Sequence, residues 1–135
     1  MSGNEKLKND FVFREGQDGE LQFVGDFDGL YNSEKDPWAS SGEGDVEYDK
    51  YDKYYKFSRG RLVGAIKAIG NRKTVLEVGC GLGFVIDFMA KELHGSSLNG
   101  IDISAVAIEQ ARKNFPKHMF DVGDIQSSDF IVDKK

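Results

Sequence analysis

At Val75-Leu76-Glu77-Val78-Gly79-Cys80-Gly81-Leu82-Gly83-Phe84 an apolar strand runs into three glycines at alternate positions and then into a helical pattern. Glycines there let the backbone come close to a ligand, and the start of the following helix aims its positive end at the same spot. Beyond such a turn the chain must alternate between two periodicities, and it does. Thr74 to Val78 reads as a buried strand, Leu82 to Leu93 as a helix stopped near Gly95, and Leu98 to Ile103 as a second strand. Ala105 to Phe115 reads as a second helix, capped by Ser104 and closed by Pro116, and Met119 to Val122 as a third strand before a short tail, Ile125 to Lys135. Strand and helix in strict alternation specify an α/β fold around a parallel sheet.

Upstream the texture differs. Met1 to Asp10 is polar and without periodicity, a loose terminus. Phe11 to Phe13 and Leu21 to Val24 flank a cluster of turn residues and predict a small hairpin. Gly25 to Gly44 reads as loop, with Asp36-Pro37-Trp38 extended before proline, Trp38 as a core anchor, and Ser40 to Gly44 flexible. From Glu47 to Gly70 a helix is predicted, placing Tyr48, Tyr51, Tyr55, Leu62, Ile66 and Ile69 on one face; Gly60 and Gly64 inside it call for a break or close packing. The tyrosine stripe reads as packing rather than a substrate platform. The chain therefore divides into a leader, 1–46, and an α/β domain with its preceding helix, 47–135.

The glycine turn alone is ambiguous, its competitor being the dinucleotide fingerprint G-x-G-x-x-G/A. Counted from Gly79, the last fingerprint position holds Phe84, and glycine comes one place early at Gly83. Glu77, two residues before the first glycine, would repel a pyrophosphate and attract a cationic amine. Asp102 ends the second strand beside the turn and can accept both hydroxyls of a ribose. Asp124, after the third strand, can accept from an exocyclic amine, with Ile103 and Ile125 as apolar walls for a ring. Amine, ribose and base together describe an adenosyl amino acid.

Glu77-Val78-Gly79-Cys80-Gly81-Leu82-Gly83, Gly100-Ile101-Asp102-Ile103-Ser104 and Gly123-Asp124-Ile125 resemble, in order and interval, the first three motifs of class I S-adenosylmethionine-dependent methyltransferases. The resemblance implies a Rossmann-like sheet and S-adenosylmethionine as cofactor. Glu77 and the turn from Gly79 through Cys80 and Gly81 to Gly83 would hold the methionine end, Asp102 the ribose, and Asp124 with Ile125 the adenine. Phe27-Asp28-Gly29-Leu30-Tyr31, Asp36-Pro37-Trp38 and Tyr55-Lys56-Phe57-Ser58-Arg59 are similar to the leader of small-molecule methyltransferases of sugar and nodulation-factor chemistry. Arg59 is then a candidate for the cofactor carboxylate, with Tyr55 and Ser58 as lid residues. The family lays its sheet down in the order 3-2-1 and then adds strand 4 and beyond on the other side of strand 1, where positioning and base residues usually come. This sequence ends before a fourth strand, so no catalytic residue is assigned. The expectation is a fragment of a longer polypeptide, or a chain that pairs the open edge at Val75, Leu76 and Val78 with a second copy or another chain, and that alone binds cofactor weakly and transfers no methyl group. A non-catalytic cofactor-binding module or truncated scaffold is the rival reading.

Bulk properties narrow the partners. At 135 residues the chain holds one domain at most, and 23 acidic against 18 basic residues give a net charge of -5, which opposes binding to phosphate backbones. A small-molecule substrate is expected and nucleic acid is not. The sequence has no apolar run of membrane-spanning length and no signal peptide, which predicts a cytoplasmic protein. Cys80 stands alone, reduced and structural; it makes no metal site, and His94 and His118 lack partners at useful spacing.

Overall fold

The computed structural model describes residues 10–41, 48–70 and 72–127, those at 48–52 by backbone alone. The terminus before residue 10, the start of the long helix at Glu47, the side chains of Tyr48 and Tyr51 and the end of the tail lie outside the described residues.

The hairpin forms, shifted at its first strand. β1 (Phe13–Glu15) pairs antiparallel with β2 (Leu21–Phe23), Phe13 opposite Phe23. Phe11 and Val12 are instead helical, because their carbonyls accept from the chain beyond β2: Val24 N donates to Val12 O at 2.9 Å and Asp26 N to Phe11 O at 2.9 Å.

The reading of Gly25 to Gly44 as loop is corrected by a helix, α1 (Phe27–Ser33), within it. Asp26 caps it by accepting from Gly29 N at 2.9 Å, and Leu30 is fully buried. Gly25, Gly29 and Asn32 hide in the sequence what Phe27, Leu30 and Tyr31 specify at helical spacing. Nor are Ser40 and Ser41 loose: the Asp36 carboxylate accepts from Ser40 N and Oγ, both at 2.9 Å, and from Ser41 N at 2.8 Å.

Helix α2 (Tyr48–Ala68) is continuous. Its inward face is turned by one position from the expectation: Val63 is buried at 5% exposure, whereas Leu62 is 42% and Ile69 60% exposed. Val63 and Ile66 meet the core, so Leu62 falls to the side of the helix. Gly60 and Gly64 neither break it nor sit against anything, since a Cβ at either would meet nothing within 4 Å. Gly60→Ala and Gly64→Ala should therefore each stabilise the protein by about 0.5–1 kcal/mol, read as a rise in urea midpoint at constant slope.

The α/β part is close to the sequence reading. β3 (Thr74–Val78), β4 (Ser97–Asp102) and β5 (Met119–Val122) form a parallel sheet in the order β3-β4-β5. α3 (Phe84–Glu92) and α4 (Ala105–Asn114) connect them. Helix α3 begins two residues later than expected because Leu82 and Gly83 still belong to the turn, with Gly83 as N-cap at φ +88°. Ser104 caps α4 by accepting from Ala107 N at 3.1 Å. Ile86 and Met89 of α3 and Leu93, its C-cap, pack with Ile108, Ala111 and Phe120 into the core, to which Val63 adds from α2. Cys80 belongs to it as well: its sulfur occupies the space over Gly100, where a Cβ would come within 2.8 Å. Burial, with Glu77 and Asp102 nearby, pushes that thiol up to about 12, so it stays protonated. Among the described residues strand β3 is an edge of the sheet, with Leu76 and Val78 exposed. Among the described residues no helix is long and apolar enough to cross a membrane.

Candidate functional site

Parallel strands end on the same side of a sheet, and the three segments that leave β3, β4 and β5 there border one cavity of about 770 Å³. β3 contributes Glu77 and Val78 and opens into the turn; β4 contributes Asp102, with Ile103 just after it; Gly123, Asp124 and Ile125 come after β5. The opposite wall is α2, through Tyr54, Tyr55, Ser58, Arg59 and Leu62, and the leader, through Phe27, Tyr31 and Trp38.

The turn is held from beneath. Gly79 N and Cys80 N both donate to Ile101 O, at 2.8 and 3.0 Å, and Gly81 N donates to Asp102 Oδ2 at 2.8 Å. Asp102, only 8% exposed, accepts from Ser104 N on its other oxygen at 2.9 Å, and its backbone carbonyl accepts from Gly123 N at 2.9 Å. One residue thus fixes the glycine turn, the start of α4 and the exit of β5. Each carboxylate oxygen has two lone pairs and takes one of these side-chain bonds, which leaves acceptor capacity on both.

Glu77 is different. Among the described residues its Oε2 is buried without a hydrogen-bond partner, and burial pushes the carboxyl up to about 7, against the pull of Arg59 and with the repulsion of Asp102. An unpartnered carboxylate in such a place is costly unless a donor arrives. Arg59 also has an orphan, its buried Nε, while Nη2 donates to Ser40 O at 2.8 Å and the guanidinium lies 5.0 Å from the centre of the Tyr55 ring. Among the described residues, two side chains of opposite charge that line the cavity thus each carry a buried polar atom without a hydrogen-bond partner.

The leader forms a strap across the mouth. Tyr55 Oη donates to Trp38 O at 2.8 Å, and Trp38 Nε1 donates to Tyr31 Oη at 3.1 Å. Burial, with the charge of Asp102, pushes the Tyr31 phenol up to about 12, so it remains neutral. Trp38 is 46% exposed and lines the cavity, which corrects its reading as a core anchor.

Of the residues singled out from sequence, Glu77, Gly79, Cys80, Gly81, Asp102, Ile103, Asp124, Ile125, Arg59 and Tyr55 all border this one cavity. Gly83 does not: it is buried on the other side of the turn, where a Cβ would press on Phe120 and Phe115. Asp124 accepts from Gln126 N at 2.9 Å, closing the turn after β5, and Ile103 and Ile125 are exposed at the rim. Tyr31, Phe27, Tyr54, Leu62 and Phe84 were not anticipated as cavity residues. For Tyr31 the available signal was its spacing from Asp26 in a capped helix. Among the described residues no cluster of His, Cys, Asp and Glu could hold a metal ion.

Residues 75–134 match the family model described as a methyltransferase domain. A protein of Invertebrate iridescent virus 6, 235L, named as a methyltransferase, is 34% identical over 90 residues, 67% of this chain and 33% of its own. A tRNA1(Val) (adenine(37)-N6)-methyltransferase of Flavobacteriaceae bacterium (strain 3519-10) is 39% identical over 61 residues, 45% of this chain and 26% of its own. The chain thus spans a third or less of the length of these curated relatives. Magnesium protoporphyrin IX methyltransferase from Synechocystis PCC 6803, solved with bound S-adenosylmethionine, superposes with a TM-score of 0.58 at 22% identity, over 73% of this chain and 52% of its own, a likeness of fold.

Proposed function

We propose that this chain is part of a class I, S-adenosylmethionine-dependent methyltransferase and that its cavity binds S-adenosylmethionine for methyl transfer to a small molecule, a sugar or glycoconjugate being the first class to try; the methyltransferase-domain match over residues 75–134 supports the reading. The observation that carries this reading is the pair of unmet buried atoms, Glu77 Oε2 and Arg59 Nε, in a cavity walled by the glycine turn. An amino-acid head bears one ammonium and one carboxylate, and so meets both needs at once.

The residues present fit the rest of the cofactor. Glu77 would hold the ammonium, Arg59 the carboxylate, Asp102 the ribose hydroxyls on its remaining lone pairs, and Asp124 the exocyclic amine between Ile103 and Ile125. Bound there, S-adenosylmethionine supplies a sulfonium whose methyl carbon is already electrophilic. The protein's share of the work is alignment and the exclusion of water. The strap formed by Tyr31, Trp38 and Tyr55 does the second by covering the methionine end from the leader side. No side chain is assigned as acid or base. The net charge of -5 supports an acceptor other than a polyphosphate.

Calorimetric titration with S-adenosylmethionine, S-adenosylhomocysteine and NAD tests the cofactor half; binding of NAD alone would overturn it. Transfer of labelled methyl to sugar-bearing acceptors and to tRNA tests the other half. Label on tRNA alone would leave the cofactor site standing and remove the small-molecule acceptor.

The shifted Glu77 makes binding depend on pH. Only the carboxylate attracts an ammonium, so affinity for S-adenosylhomocysteine should rise roughly five- to tenfold between pH 6 and 7.5, as Glu77 ionises near 7. It should fall again at higher pH, as the ligand's own amino group loses its proton. Glu77→Gln should weaken binding and flatten the rise. Stability of the cofactor-free protein runs the other way: the folded state holds the Glu77 proton more tightly than the ordinary 4.5, so stability drops as pH climbs from about 4.5 to about 7. An unchanged pH profile in Glu77→Gln would separate this carboxylate from the ligand.

A further inference from the structure

The leader is joined to the far side of the cavity by a short chain of hydrogen bonds. Asp28, in the first turn of α1, accepts on Oδ1 from Ser104 Oγ at 2.6 Å and from Val106 N at 3.2 Å, across 76 and 78 positions of sequence. Ser104 is 1% exposed, and its hydroxyl is committed in both directions, donating to Asp28 and accepting from Ala107 N at 3.1 Å. A hydroxyl bound at both ends cannot rotate, which holds the side chain and its own peptide plane in one setting. That peptide carries the N–H that donates to Asp102 Oδ1 at 2.9 Å, while Gly81 N holds Oδ2 at 2.8 Å. The Asp102 carboxylate is thus fixed at two points, and one of them is fixed in turn by the leader.

We infer that Asp28 is a positioning residue for the cofactor: through Ser104 it sets the plane of the Asp102 carboxylate toward the ribose hydroxyls. This rests on the proposed role of Asp102 as ribose acceptor. Hydrogen bonds from Ser104 and Val106 hold the Asp28 carboxyl below the usual carboxylate range, so it is a charged acceptor at neutral pH. A plain cap on α4 would give stability alone. A positioning residue also changes how the site tells ribose from dideoxyribose, because only the vicinal hydroxyls feel the setting of that carboxylate.

The test uses the full chain as wild type, Asp28→Ala and Asp28→Asn, each checked for cooperative thermal unfolding. Each is titrated calorimetrically with S-adenosylhomocysteine and with its 2′,3′-dideoxy analogue. Wild type should prefer the ribose ligand by about tenfold. Asp28→Ala should bring that preference to about threefold or less, with affinity for the dideoxy analogue within about twofold of wild type. Asp28→Asn, which keeps a weaker acceptor for Ser104, should fall between the two. A wild-type preference in a folded Asp28→Ala, or equal losses for both ligands, would overturn the inference. If Asp28→Ala fails to fold, an undiminished preference in Asp28→Asn overturns it. A wild type that binds neither ligand, or does not distinguish them, overturns the reading of Asp102 and this inference together.

Discussion

Asp102→Ala should lower stability by about 2–6 kcal/mol and S-adenosylhomocysteine affinity by at least about thirtyfold. The first loss comes from the two backbone donors it leaves behind. Gly81 N and Ser104 N both end on its carboxylate in a buried place, and each donor stripped of its acceptor costs about 1–3 kcal/mol. The second is the ribose's charged acceptor, about 2 kcal/mol. Asp102→Asn separates the two. An amide offers one oxygen where two N–H groups require acceptors, so one backbone bond should survive and part of the stability with it. Urea unfolding and calorimetry on both variants measure the split. Lost affinity at an unchanged urea midpoint would mean that Asp102 serves the ligand alone and does not hold the turn.

That double duty shows where the sequence stops being informative. The acidic residue at the end of β4 is legible because its position relative to the glycine turn is set by strand length and parallel pairing. Whether its oxygens meet a ligand or the backbone depends on the path of the turn, which pattern does not encode. The same division runs through the chain. Strands β3 to β5 and α4 emerge closely from period and capping residues. Helix α1 does not, since Gly25, Gly29 and Asn32 raise the turn signal above a seven-residue apolar pattern. On α2 both Leu62 and Val63 are apolar, and only contact with α3 and the sheet decides which one is inside. Trp38 could not be placed from sequence either, because its position depends on two hydrogen bonds, to Tyr31 in α1 and from Tyr55 in α2, that fix how the segments on either side of it meet, which pattern does not encode.

Gly83→Val should abolish the cooperative unfolding transition or cut stability by about 2–5 kcal/mol, the largest effect expected of any single change in the turn. Two costs combine there. Gly83 sits at φ +88°, where a β-branched residue is strained by about 1–2 kcal/mol. A Cβ would also stand 2.7 Å from Phe120 Cζ and 3.1 Å from Phe115 Cδ2, and Phe120 is a core residue with nowhere to move. Overpacking of that kind adds about 1–3 kcal/mol. Against a total of about 5–15 kcal/mol for an ordinary domain, little margin remains. Gly81, two residues earlier, makes the contrast. Gly81, at φ +51°, shares the backbone strain, but a Cβ there meets only the far end of a side chain, the Tyr31 hydroxyl at 2.7 Å, and its backbone borders the cavity. Gly81→Val should therefore abolish S-adenosylhomocysteine binding while keeping a cooperative melt, and Gly83→Val should lose the melt itself. Circular dichroism on heating and calorimetric titration, run on both variants, give the comparison. A Gly83→Val protein that melts like wild type but no longer binds would mean that this glycine faces the ligand after all, and that the division of the turn into a ligand side and a core side is wrong.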